Sequence, residues 1–166
     1  MSGLSPSPRR RYAVLGATAA LTATVVVAGS QATASAAVTM RFRFEQVSFK
    51  FVDVPPLAKD ESSPPSAGDY FVLANKMLRG GEPVGSLHAT CVFPTRAKDP
   101  ARAKLLCTGA YSLPGGTLVG AAVLGATGNV NNIAITGGTG RFAGMSGTAV
   151  EHTNEDGSGR VVIRVQ

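Results

Sequence analysis

The stretch VGSLHATCVFPTRAKDPARAKLLCTGAYSL, Val84 to Leu113, decides the fold. Two alternating runs flank a polar centre, and each run holds one of the chain's two cysteines, Cys91 and Cys107. Suppose the runs pair antiparallel with Cys91 opposite Cys107. Ala89 then meets Gly109, Leu87 meets Tyr111 and Phe93 meets Leu105, all uncharged and all on one face. The turn falls at 96–102, around Asp99 and Pro100. A slip of one residue would spoil all of these matches together, so one register satisfies the cysteines, the apolar face and the turn. A disulfide closing a loop of about fifteen residues contributes roughly 3 kcal/mol in the chain-entropy model.

Working outward from this hairpin, the same pattern recurs. After residue 36 no helical period of useful length is present. Short β-rich segments are punctuated by Gly and Pro roughly every dozen residues. Strands are predicted over 38–54, 70–78, 84–95, 104–113, 117–126, 130–136, 145–153 and 160–165. Eight antiparallel strands in a chain this short fit an all-β, closed eight-stranded barrel, which removes exposed edges and leaves room for one small ligand. A sandwich is the alternative, since alternation by itself does not separate the two.

The first strand changes phase. Met40, Phe42 and Phe44 share one face, and Val47, Phe49 and Phe51 follow one residue out of step. An extra residue near Glu45-Gln46 would keep all six on one side, as a β-bulge does; a break between two strands reads equally well. Residues 55–68, with Pro64-Pro65 and several serines, read as an exposed loop. On the second strand Phe71, Leu73, Asn75 and Met77 share a face. A lone amide in an apolar row must find a hydrogen bond or bear a desolvation cost, so Asn75 is either a satisfied core amide or one that orients a ligand. Glu45 is either solvated beside Arg43 or re-aimed into a site by the bulge.

Residues 1–36 differ from the rest. A basic start (Arg9-Arg10-Arg11-Tyr12), an uncharged run from Ala13 to Ala28 and Ala34-Ser35-Ala36 form the pattern of a cleavable export signal, compatible with either the general secretory or the twin-arginine route. The run is too rich in Ala, Thr, Gly and Ser for a stable anchor, so no membrane association is expected after cleavage. The predicted domains are therefore a signal at 1–36 and one barrel at 37–166, secreted and extracellular, where an even cysteine count favours a disulfide. The signal carries three of the chain's 16 basic residues and none of its 10 acidic ones, so half of the formal +6 charge leaves with it. No basic block or tryptophan remains, and no nucleic-acid footprint is found.

The string Ile135-Thr136-Gly137-Gly138-Thr139-Gly140-Arg141-Phe142-Ala143-Gly144 imitates a dinucleotide fingerprint. A Rossmann unit needs a helix and further βαβ chain after the glycines, and strand-like sequence follows instead. Gly137, Gly138 and Gly140 are read as a tight turn with a short helical kink. His88 and His152 have no second ligand at metal spacing, and His88 lies on the face opposite Cys91. No metal site is expected.

From Gly68 onward the chain resembles the allene oxide cyclase and dirigent-like barrel superfamily, in Gly68-Asp69-Tyr70, Asn75-Lys76-Met77-Leu78, Val84-Gly85, Cys91-Val92 and the run from Ala134 to Gly144. The resemblance implies an eight-stranded antiparallel barrel, often trimeric in plant members, and hence a homo-oligomer. It implies an apolar lumen in which cyclases close a ring on a fatty-acid epoxide mainly by shape, or in which dirigent members guide radical coupling. No cofactor is implied. Asn75 matches a family asparagine, Cys91 the cavity cysteine and Glu45 the glutamate if the variable loop has no net gap. Val47 stands where the family has a second asparagine. A Cys91–Cys107 bond would make Cys91 a staple rather than a cavity thiol.

Two functional classes follow. One is an isomerase, an intramolecular cyclase with Asn75 and Glu45 as catalytic residues and Phe71, Leu73, Met77 and Leu87 lining the lumen around an apolar small molecule. The other is a non-catalytic dirigent-like barrel or extracellular binding domain. The orientation of Glu45 separates them.

Overall fold

The computed structural model describes residues 37–55 and 63–166. The export-signal segment, and loop residues 56–62, lie outside the described residues. Eight strands are formed: β1 (Val38–Val52), β2 (Tyr70–Arg79), β3 (Glu82–Val92), β4 (Lys104–Leu113), β5 (Gly116–Gly125), β6 (Val130–Gly138), β7 (Gly147–Thr153) and β8 (Gly159–Val165). Each pairs antiparallel with the next, and β8 returns to β1 through Val38↔Val165, closing the barrel. Closure is what distinguishes it from a sandwich.

The hairpin register is the expected one. Leu87↔Tyr111, Ala89↔Gly109 and Cys91↔Cys107 are partners, and the two sulfurs are bonded. β3 stops at Val92, short of the predicted Thr95: the Phe93 N–H still donates to the Asp69 carbonyl ahead of β2, and Pro94 has no N–H to carry the ladder on. The connection carries a one-turn 3₁₀ helix, Pro100–Arg102, and the Asp99 carboxylate accepts from the Ala101 N–H at 2.9 Å.

β1 does contain a bulge, but it lies further along than predicted. Gln46 pairs with Asn75 and Ser48 with Ala74, so Val47 is itself the extra residue. Val47 is 68% exposed instead of inward, and Gln46 takes the inward place. The inward series is Met40, Phe42, Phe44, Gln46, Phe49 and Phe51.

A smaller core cluster, Cys91, Phe93, Ala103, Leu105 and Cys107, packs at one end of the barrel, and the larger one fills the other. Met40, Phe42, Met77, Leu118, Ile135, Ala149, Ile163 and Val165 are buried there in one cluster. The glycine string plugs this end. β6 ends at Gly138, a 3₁₀ turn spans Gly140–Phe142, and Phe142 is buried. A Cβ on Gly138 would sit 2.8 Å from the Phe142 Cβ, so the bare glycine lets the ring close in. β7 consequently begins at Gly147 rather than Met145, whose N–H is used by the Phe142 carbonyl.

Candidate functional site

The other end of the barrel is hollow. Inward positions on β3 to β5 carry Ala89, Gly109, Gly120 and Ala122, too small to meet across the interior, and a cavity of about 410 Å³ remains. Larger rings stand around it. Phe49 packs on Phe71 with centroids 5.0 Å apart, and Phe51 meets Phe93 edge-on at 6.3 Å. The Cys91–Cys107 disulfide forms part of the wall.

The mouth is held by Asp69. Its carboxylate accepts from the Val54 N–H at 2.9 Å, the Ser66 N–H at 2.6 Å and the Ser66 hydroxyl at 3.0 Å. Burial would raise its pKa, but these hydrogen bonds outweigh that and hold it below the usual carboxylate value.

The floor is polar. The Tyr111 hydroxyl on β4 donates to Glu151 Oε1 on β7 at 2.8 Å. These strands are not neighbours, so the bond crosses the interior above the packed core. Glu151, only 8% exposed, also hydrogen-bonds Asn131, its cross-strand partner. Burial pushes its carboxyl pKa up, and the bonds from Tyr111 and Asn131 only partly pull it back. Burial and the neighbouring carboxylate push the Tyr111 phenol up as well. Higher on the wall, Asn75 is 6% exposed and its Oδ1 accepts no hydrogen bond. An orphaned buried acceptor on a residue of the cavity wall is a costly arrangement, relieved if a side-chain turn brings it to a ligand donor.

Of the residues expected at the site, Asn75, Phe71, Leu73 and Leu87 line the lumen. Met77 does not. It is fully buried below the floor, because the barrel interior is already filled at that level. Glu45 does not either. It is the neighbour of inward Phe44 and Gln46, hence outward, and its carboxylate pairs with Lys76 Nζ at 2.8 Å with 54% of the side chain exposed. The bulge falls two residues too late to re-aim it, so the cyclase reading loses the glutamate that the resemblance assigned, and a catalytic carboxylate has to come from elsewhere in the lumen. Cys91 lines the lumen as half of a disulfide. Gly137, Gly138 and Gly140 belong to the opposite end. His88 is on the outer wall, 3.5 Å from the Ser86 hydroxyl.

Glu151, Tyr111, Asn131 and Gln46 were not singled out from the sequence. For Glu151 a signal existed: the turn at Asn154–Gly159 sets a register in which Glu151 opposes Val161, on the face that Val161, Ile163 and Val165 share. A charge on that face has to be buried. Among the described residues no three His, Cys, Asp or Glu side chains gather as a metal site.

No protein-family model matches the sequence, and no curated protein sequence does. Solved structures match the fold. Pyocyanin demethylase superposes with a TM-score of 0.65 at 20% identity, covering 78% of this chain and 100% of that one. The pterocarpan synthase dirigent protein PsPTS1 gives 0.57 at 18%, covering 78% and 92%. AbnU, an exo-specific intermolecular Diels-Alderase, gives 0.58 at 11%, covering 79% and 98%. At these identities the likeness shows the shared barrel fold.

Proposed function

We propose that this chain is an exported barrel that encloses one small lipophilic molecule and steers an intramolecular ring closure of it. The observation that carries the reading is a 410 Å³ lumen, lined largely by apolar side chains, with a buried glutamate in its floor. Confinement of a flexible molecule in such a space removes part of the entropic barrier to ring closure. Glu151, in the place first sought for Glu45, faces positive charge as it develops in the substrate, in a medium of low dielectric where that interaction is strong. Asn75 orients the substrate through its free Oδ1. Such a reaction is an isomerisation, so atoms and electrons balance without a co-reactant. The leader-like sequence and the disulfide support export. An uncharged outer wall, where Leu106 faces Val123 and Ala110 faces Val119, supports self-association.

Native mass spectrometry of the protein exported by its host tests this reading. Expected are a retained organic molecule, its loss in a lumen-filling Ala122→Trp variant, and its conversion by wild type to an isomer, equal in mass but separated by chromatography, that Glu151→Gln does not form. A molecule held but left unchanged would make the protein a binding barrel without turnover. A wild-type protein that retains nothing from its exporting host would overturn the reading.

A further inference from the structure

Resting on the reading of the lumen as a binding cavity, we infer that its occupant is a lipophilic organic cation with a flat, delocalised ring portion and an N–H or O–H donor. Three independent features of the wall point to this chemistry. The first is charge. Among the described residues Glu151 is the one carboxylate that lines the lumen, and no described Lys, Arg or His lines it. On the strands that wall it, the basic Lys50 and Lys76 alternate with the inward residues Phe49, Phe51 and Asn75. An anion in the lumen would face a carboxylate with no cation to offset it.

The second feature is aromatic surface. Five of the chain's seven phenylalanines, Phe44, Phe49, Phe51, Phe71 and Phe93, line the cavity, joined by Tyr111. Ring faces carry negative quadrupole density, so a desolvated cation among them is attracted from several sides, and a flat skeleton stacks on the same surfaces.

The third feature is the orphaned Oδ1 of Asn75, a residue of the cavity wall. A saturated hydrocarbon would leave it unpaired, whereas an N–H or O–H beside the cationic centre satisfies it. Glu151 has accepting capacity left as well, since the Tyr111 hydroxyl occupies Oε1 with a single bond.

The geometry carries a proton consequence. Tyr111 on β4 is the titratable group facing Glu151; its partners Asn131 on β6 and Val161 on β8 carry none. Burial keeps the empty site's carboxyl protonated to higher pH than usual. A bound cation favours the carboxylate, so binding releases a proton in the pH range where the empty site still holds one.

The test uses a pair of isosteric probes, 4-amino-1-methylquinolinium and the neutral 4-methyl-1-naphthylamine, which share shape and donor and differ in charge. Titration of the wild-type protein should show the cation bound at least about tenfold more tightly, which is about 1.4 kcal/mol. Glu151→Gln should cut that preference at least about threefold, to what the ring faces alone supply, while keeping the neutral probe, and Asn75→Ala should weaken both. Calorimetry of the wild type in two buffers of different ionisation heat should show proton release with the cation only, which keeps the idea testable if Glu151→Gln fails to fold. Equal or tighter binding of the neutral probe overturns the cation inference and leaves the lumen a binding cavity. A cation preference undiminished in Glu151→Gln, or one that comes without proton release, also overturns it. Binding of neither probe would overturn both readings.

Discussion

The two ends of this barrel are built from the same alternation and come out opposite. At the plugged end the inward positions carry Met40, Phe42, Met77, Leu118, Ile135 and Ile163, and Phe142 folds in over them. At the open end the same strands continue with Ala89, Gly109, Gly120 and Ala122, and the larger inward rings stand at the mouth. Period-two patterning sets which side of the wall a residue faces, and the size of the inward residues then sets whether the interior is core or cavity. Stability is therefore concentrated at one end, where packing is dense, and the candidate chemistry at the other, where polar groups are buried without a packed surround.

Substitutions on the two sides of the Tyr111–Glu151 floor should reveal that division. The largest effect is expected from Phe142→Ala, which opens a void in packed core and should cost about 3–5 kcal/mol in urea unfolding. Phe71→Ala, beside space that already exists, should cost less than half as much. Equal losses would mean that the lumen is collapsed in solution. Replacing Cys91 and Cys107 together by serine should cost about 3 kcal/mol, since the pair closes a separation of 16 residues. The loss should be matched when the wild type is reduced in denaturant, and a protein mass without the loss of two hydrogens would show that the bond is not formed.

Two buried acids then give opposite pH signatures. The folded pKa of Asp69 is lowered, so its stabilisation is present above the ordinary carboxylate value and lost as pH falls through the lower, folded one. Asp69→Ala should cost about 2 kcal/mol near neutrality, the scale of hydrogen bonds to a charged group, and should flatten the acid limb of the stability profile. The folded pKa of Glu151 is raised, so the folded state binds the extra proton, and wild-type stability should decline as pH rises from the ordinary carboxylate value through the raised one. Glu151→Gln should remove that decline. Denaturation midpoints across pH check both slopes, and a shared sign would contradict the contrast between mouth and floor. The smallest effect is expected for Glu45→Gln. Its exposed pair with Lys76 should contribute under about 1 kcal/mol, and probe binding should be unchanged. A lost lumen ligand in that variant would place Glu45 inside after all.

Much of this division was legible in the residues, but unevenly. The Cys91–Cys107 hairpin was readable because a disulfide, an apolar face and a turn all demanded one register. Asn75 was readable because a single amide stood in an alternating row. Glu45 was misread because one inserted residue inverts the phase of everything beyond it, and the position of the insertion, Val47 rather than Glu45-Gln46, follows from pairing with β2 and not from β1 itself. Met77 shares a face with Asn75, so alternation placed both in the lumen; its height along the barrel axis separates them. Glu151 was overlooked although the last turn fixed its register, because in its own strand, Gly147 to Thr153, either face reads as plausible core.

The sequence by itself determined the strand order, the pairing of the central hairpin, the glycine turn and the rejection of a nucleotide site, since each depends on residues close along the chain or on a covalent pair. Only the tertiary structure decided that Tyr111 and Glu151, 40 residues apart, meet across the interior, that Glu45 is outside, and where core ends and cavity begins. These depend on the closure and stagger of eight strands, in which residues distant in sequence come to share one level of the barrel, and no local pattern records that level.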